Sequence, residues 1–181
     1  LQGFDFAGTQ IKDGIAHIFI GLTDIQGELA GMCLLEGESA HGWDLALSPD
    51  GGFLVAGNIQ VPETDPVSGP YLGSDVFLVK FDSLGNEEWG KSYGGPKVDA
   101  GRAIVPTDDG HYLIGGYTRS YGNGNFDYYL IKFDQDGNEL WSTTFGSPAA
   151  ELAHGLIRTA DGNFVIVGRK NDGGANLQDI Y

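Results

Sequence analysis

Positive charge is scarce in this sequence. Ten Lys and Arg stand against 25 Asp and Glu, giving a formal net charge of −15 with the four histidines neutral. Affinity for a phosphate backbone comes from Lys and Arg, so this balance speaks against nucleic acid as a partner, and equally against insertion at an anionic membrane surface. It suits solubility in a salty extracellular medium, or a cation-binding surface. Cysteine is nearly absent. Cys33 stands alone, which excludes an internal disulfide; beside Met32, Leu34 and Leu35 it reads as a small core hydrophobe. No run of about 20 apolar residues is present to cross a membrane as a helix. No secretory signal segment is recognisable, and the sequence does not begin with Met, so no compartment can be read from a leader. No window sustains a 3.6-residue apolar period, so almost no helix is expected.

Familiar catalytic patterns are missing too. His17, His41, His111 and His154 have no zinc-ligand spacing to one another or to Cys33. There is no Gly-x-Ser-x-Gly elbow, phosphate loop or His-Glu-x-x-His. Glu36 with Glu38, and Glu87 with Glu88, lie on or beside strand edges and read as solvated faces. No acid–base pair is assembled within a short stretch.

What the sequence has is glycine and repetition. Thirty of 181 residues are Gly, roughly double the usual share. The stretch Leu-Ile-Lys-Phe-Asp-Gln-Asp-Gly-Asn-Glu-Leu-Trp from Leu130 to Trp141 reads as strand, tight turn, strand. It recurs from Leu78 to Trp89, and more weakly from Ile20 to Leu29. Asp82 to Asp134 and Asp109 to Asp161 are both 52 residues; Asp24 to Asp82 is 58 and Asp50 to Asp109 is 59. The extra length falls in residues 58–74, which carry Pro62, Pro66 and Pro70.

Each unit contains four strand-like runs, at 127–133, 139–145, 153–158 and 163–168 in the clearest copy, rich in β-branched and aromatic residues. Asp136-Gly137-Asn138 and Asp161-Gly162-Asn163 supply turn residues that tolerate positive φ. Four short antiparallel strands in about 50 residues is the arithmetic of a β-propeller blade. The expected fold is therefore all-β: one propeller region over 1–181, with blade units at 17–58, 75–118 and 127–169 and partial strands at 1–9 and 179–181. A closed propeller has about 4 to 8 blades, so a segment of a larger propeller is expected.

At these residues the sequence resembles the bacterial β-propeller repeats of the SBBP type. The resemblance rests on Leu-Ile-Lys-Phe-Asp at 130–134, Gly-Asn-Glu-Leu-Trp at 137–141, Phe-Gly at 145–146, Thr-Ala-Asp-Gly-Asn-Phe at 159–164 and Gly-Tyr-Thr-Arg-Ser-Tyr-Gly at 116–122. The first copy departs from it, with Gly31 where Trp89 and Trp141 stand and Leu22 where Lys80 and Lys132 stand. The resemblance implies a secreted or cell-surface setting. A looser similarity, an Asp, a turn Gly and a Trp four residues on, is to quinoprotein propeller repeats; it implies interblade tryptophans and no cofactor.

Candidate sites follow from the repeat. Asp75, Asp127 and Asp179 enter the first strand of successive units, with His17 in that place in the first copy. If that strand is innermost, they form a ring that binds a cation or polar ligand, or each pins a neighbouring loop through its backbone N–H groups. Lys80 and Lys132 share that strand and stand to pair with them. Asp134, Asp136 and Asn138 have the one-three-five spacing that opens a calcium loop, but Gly137 is fourth where a helix-loop-helix site needs it sixth, and turn chemistry explains the same residues. Calcium is the cofactor this spacing admits. Trp89 and Trp141 are expected between blades, whereas Trp43 lies outside their register. Tyr71, Tyr121 and Tyr128 lie in or beside the longer loops and suit sugar stacking or packing. The function expected is a non-catalytic extracellular scaffold that recognises a protein or carbohydrate partner, first through residues 58–74. The alternatives are a polysaccharide hydrolase or lyase with an acidic axial pocket and a calcium-stabilised structural repeat.

Overall fold

The computed structural model describes residues 4–12, 15–35, 39–62, 72–123, 125–171 and 178–180. Among them are strands and turns and no helix. Strands β1 (Phe4–Lys12), β2 (Ile15–Thr23) and β3 (Leu29–Leu35) form a three-stranded sheet. Next come two four-stranded sheets in simple chain order: β4 (Ala40–Leu47), β5 (Phe53–Pro62), β6 (Leu72–Phe81) and β7 (Glu87–Tyr93), then β8 (Asp99–Pro106), β9 (Tyr112–Thr118), β10 (Asp127–Phe133) and β11 (Glu139–Phe145). A last three-stranded sheet holds β12 (Ala150–Arg158), β13 (Phe164–Asn171) and β14 (Gln178–Ile180). All pairings within the sheets are antiparallel.

The hairpins close as the turn residues require. Asp134 Oδ1 accepts from the backbone N–H of Asp136 at 3.0 Å and of Asn138 at 2.8 Å, and Gly137 sits at φ 73°, in the left-handed region. Asp82 does the same for Leu84 and Asn86, and Asp24 for Gln26 and Glu28. These side-chain caps fix where strands end.

The sheets are cut half a unit out of step with the units counted from the sequence. Residues 75–118 give β6 and β7 to one sheet and β8 and β9 to the next. A period measures the length of a repeat but not where it begins. The connection that leaves one sheet for the next is the short link from Tyr93 to Asp99, and its copy from Phe145 to Ala150.

The phase decides which strand lies at the shared edge. Strands β4, β8 and β12 run beside one another, while β7 and β11 lie on the outer margin and are largely exposed. Asp44 on β4 accepts from the backbone N–H of Ile104 on β8 at 2.9 Å, tying the two edges together. Between the sheets lies the core. Leu54, Ala56, Val76 and Leu78 pack on Ile104, Ile114, Ile131 and Phe133; Ile18 and Ile20 meet Phe53, Val55, Val79 and Phe81. Central strands are covered on both faces, which is why Leu54, Val55 and Ala56 read as an unbroken apolar run.

At the outer margin the 134–138 turn docks on the preceding sheet. Trp89 packs against Gly137, where a Cβ would meet its ring at 2.7 Å. Lys91 Nζ donates to the Asp136 carbonyl at 2.6 Å and to Asn138 Oδ1 at 3.2 Å, and the Tyr93 hydroxyl donates to the Gly137 carbonyl. Trp141, the copy of Trp89 in the next sheet, is 44% exposed.

Candidate functional site

Asp75 and Asp127 stand on β6 and β10, each the third strand from the shared edge, and Asp179 is on β14, also third. Asp75 and Asp127 therefore do not stand on the strands at the shared edge, where the sequence reading put them. The side chain of Asp179 and all of Tyr71 lie outside the described residues. Lys80 and Lys132 do not serve these acids either. Lys80, 3% exposed, donates to Asp50 at 2.7 Å and Glu88 at 2.6 Å, and Lys132 pairs with Asp109 at 2.5 Å. Burial disfavours the charge on Lys80, but Asp50 and Glu88 outweigh it and its pKa is raised; Asp50 is held down at about 2 by the same bond.

What the structure assembles instead is a pair of acids at two passages between sheets, from β7 to β8 and from β11 to β12. Asp75 meets Asp99 beside Gly94, where a Cβ would lie 2.2 Å from Asp75 Oδ1 and 2.8 Å from Asp99 Oδ2. Asp127 meets Glu151 beside Gly146 in the same way, at 2.1 and 2.9 Å. Only glycine leaves room for the carboxylates there. Asp99 is fully buried; its Oδ2 accepts from the Gly95 N–H at 2.8 Å and the Ser120 hydroxyl at 2.6 Å. Tyr121 joins this junction, its hydroxyl donating to the Gly94 carbonyl at 2.7 Å. Asp127 Oδ2 accepts from the Asn123 N–H at 3.0 Å, the loop-pinning role open to it from the sequence. In the second junction Lys170 approaches Glu151 at 3.7 Å and Ser147 bonds it. Among the described residues no cation stands within ion-pair distance of Asp75 or Asp99, and Oδ1 of Asp75, of Asp99 and of Asp127 in the second junction is buried without a hydrogen-bond partner.

Burial, and then the Asp99 carboxylate, push Asp75 up to about 6 from an ordinary 3.8. Between those values the folded chain holds a proton that the unfolded chain has released. Stability therefore falls as pH rises through this window, and the full deficit is present above it. Asp75→Asn is expected to stabilise the protein at about pH 8 by about 1 to 2 kcal/mol, discounted for partial exposure, and to have little effect near about pH 3.5. Thermal melts of both proteins at the two pH values check this; an equal shift at both would refute the proton-sharing account.

Among the described residues no three His, Cys, Asp or Glu gather as metal ligands. A carboxylate pair falls short of the six to eight oxygens calcium takes. In the 134–138 turn, Asp134 spends its oxygens on Asp136 and Asn138, and Lys91 occupies the outward face. Turn chemistry and sheet docking account for the side chains of Asp134 and Asn138 and for the backbone of Asp136.

A second constellation escaped sequence reasoning. Each shared-edge strand carries a β-bulge: between Gly42 and Asp44, between Gly101 and Ala103, and between Ala153 and Gly155. The residues left unpaired are Trp43, Arg102 and His154. They are equivalent, one per sheet, at separations of 59 and 52 residues. A bulge re-aims one side chain out of the alternation. The Arg102 guanidinium lies 3.9 Å from the Trp43 ring centroid and 5.3 Å from that of Tyr117, and its Nη2 donates to the Tyr117 hydroxyl at 3.0 Å. Trp43 is 44% exposed, stacks with His41 at 5.7 Å, and donates from Nε1 to Asn58 Oδ1 at 2.6 Å. Partial desolvation, then Arg102 and Arg169, hold the exposed His154 below the usual histidine range. The legible signal was the period itself: Trp43, out of register with the other tryptophans, is in register with Arg102 and His154.

No known protein-family profile matches the chain. It is similar to the regulatory protein FlaEY of Caulobacter vibrioides, with 30% identity over 161 residues; the alignment takes in 79% of this chain and 17% of that protein, so the chain spans less than a fifth of that relative's length.

Proposed function

We propose that the chain is a run of blades of a β-propeller, of the kind the SBBP-type repeat represents, and that it works as a non-catalytic scaffold recognising a protein or carbohydrate partner at the cell surface or outside it. Closure is supported by the side-by-side course of β4, β8 and β12: sheets that share one edge and splay at the other turn about a common axis. Further copies of the unit complete the ring.

The observation that carries recognition is the arm formed by β5 and β6. In the neighbouring sheet the equivalent hairpin stops pairing at Asp127↔Thr118. Here pairing continues past Ile59↔Asp75 through Gln60↔Ser74, Val61↔Gly73 and Pro62↔Leu72. Of what the sequence presented as one long loop at 58–74, residues 58–62 and 72–74 are paired strand, and residues 63–71 lie outside the described residues. The base of the arm is fastened to the next sheet by the Ser74 hydroxyl, which donates to the Asp99 carbonyl at 2.9 Å. An added element on a rigid frame is where binding concentrates. An acidic axial pocket for polysaccharide cleavage has less support, because the carboxylates that suggested it lie two strands away from the shared edge.

Replacing residues 63–71 by an Asn-Gly turn is expected to leave the melting temperature within about 3 °C, since shortening a surface connection costs little. Binding on a glycan array and partner capture by crosslinking are expected to be lost together with those residues. Undiminished binding in both assays would remove the arm from the interface.

A further inference from the structure

We propose that Trp43, Arg102 and His154 form a binding site for an acidic monosaccharide, with the Arg102 guanidinium taking the carboxylate and the Trp43 indole taking the sugar ring. The argument starts from charge. Acids outnumber bases 25 to 10, and Lys80, Lys132, Arg158 and Lys170 stand within ion-pair distance of a carboxylate, while Lys91, Arg119 and Arg169 have no carboxylate that close among the described residues. Arg102 has none among them either. Among the described residues its one hydrogen bond is to a neutral hydroxyl, and its Nε is buried without a partner, so the N–H groups left for a ligand are those of the Nη atoms. An arginine has five N–H donors in a planar fork that matches a carboxylate, and here most of that capacity is unspent.

Its surroundings hold it ready. Stacking on Trp43 and Tyr117 orders the planar group without neutralising it, as aromatic faces do for cations. Trp43 is itself fixed, through Asn58 and His41, yet nearly half its surface faces solvent. An immobilised indole, 44% exposed beyond what His41 and Arg102 cover, offers apolar surface for sugar C–H groups next to a guanidinium with no carboxylate partner among the described residues. His154, next along the shared edge, adds an imidazole to the same row, and Arg169 stands near it. The three positions are aimed by the same backbone device, a bulge on the edge strand, in three different sheets. The site needs only these sheets, so it stands whether or not the ring closes and whether or not the arm at 58–74 binds a partner.

The test is a titration of the full chain with glucuronate, followed by tryptophan fluorescence and by the Trp43 Nε1–H signal in NMR spectra, with glucose and acetate as comparison ligands. Saturable binding of glucuronate, and weaker binding of both comparison ligands, is expected. Trp43→Phe should abolish the fluorescence change that Trp89 and Trp141 cannot report. Arg102→Lys keeps the charge but loses the planar fork, and is expected to weaken glucuronate about tenfold; Arg102→Met should weaken it further. Melting curves accompany each variant, and the lysine variant carries the test if the methionine variant does not fold. Equal affinity for glucose would overturn the role of Arg102, and equal affinity for acetate would overturn the role of Trp43. Unchanged affinity in folded Arg102→Lys would overturn the site as a whole.

Discussion

Replacing Gly116 with alanine is expected to destabilise the protein by about 3 kcal/mol, the upper end for overpacking, because what stands in the way is backbone. Gly116 on β9 pairs with Gly101 at the bulge of β8. A Cβ there would lie 1.9 Å from the Ala100 carbonyl oxygen. The bulge puts Gly101 and Arg102 opposite a single step of β9 and pushes the Ala100 carbonyl into the space a side chain would fill. The same geometry recurs at Gly57, where a Cβ would meet the His41 oxygen at 1.8 Å, and at Gly168, where it would meet Leu152 at 2.3 Å. The alanine variant must therefore flatten the bulge or part the strands, and either outcome swings Arg102 off Trp43. Gly31→Ala is the control. Its nearest neighbour would be 3.9 Å away, and the expected change is within about 0.5 kcal/mol. Denaturant melts give the energies, and amide exchange along β8 locates the damage. A Gly116→Ala protein as stable as the control would mean the bulge can be removed at little cost.

Tyr112→Ala should cost more still, about 4 kcal/mol, or roughly 10 °C in melting temperature for a chain of this size. Tyr112 is 1% exposed in the core between the second and third sheets, beside Ile131 and Phe133. Its counterpart one unit on, Phe164, is 38% exposed at the edge of an open groove with Leu113, Lys132, Trp141 and Arg158. Phe164→Ala is therefore expected to cost only about 1 to 2 kcal/mol in this chain. Two positions identical by the repeat thus differ in cost through what covers them. The Tyr112 hydroxyl is buried without a hydrogen-bond partner, so Tyr112→Phe should be neutral or slightly stabilising, which separates lost packing from lost polarity. Equal losses in the two alanine variants would contradict this account.

Most of the strands were legible in the sequence, two of them to the residue. The runs expected at 127–133 and 139–145 are the observed β10 and β11, because Asp134 and Gly137 fix both ends by local hydrogen bonds and φ. The phase of the sheets was not legible. Every junction in a tandem repeat looks alike in one dimension, and only the turn chemistry within hairpins is encoded locally. That one ambiguity misplaced Asp75 and Asp127 at the shared edge. Their partners Asp99 and Glu151 were missed for a different reason: one is an aspartate and the other a glutamate, and each meets its acid across a gap that a glycine keeps open. Trp43, Arg102 and His154 share no chemistry at all. Comparing like with like along the repeats could not find them. Counting residues to the bulge would have.

The half-unit offset between repeat and sheet has a bearing on how such a chain lengthens. A unit that gives two strands to one sheet and two to the next behaves as a staple across a seam. Copying it inserts the far half of one blade and the near half of another, so every strand on either side of the insertion still finds a partner, and each new seam comes with its own acid pair, bulge and gripping tryptophan. A unit coinciding with one sheet would be tied to its neighbours by packing and a covalent link, with no strand pairing shared across the unit boundary. The stapled arrangement lets the array grow by whole units without opening an unpaired edge inside it.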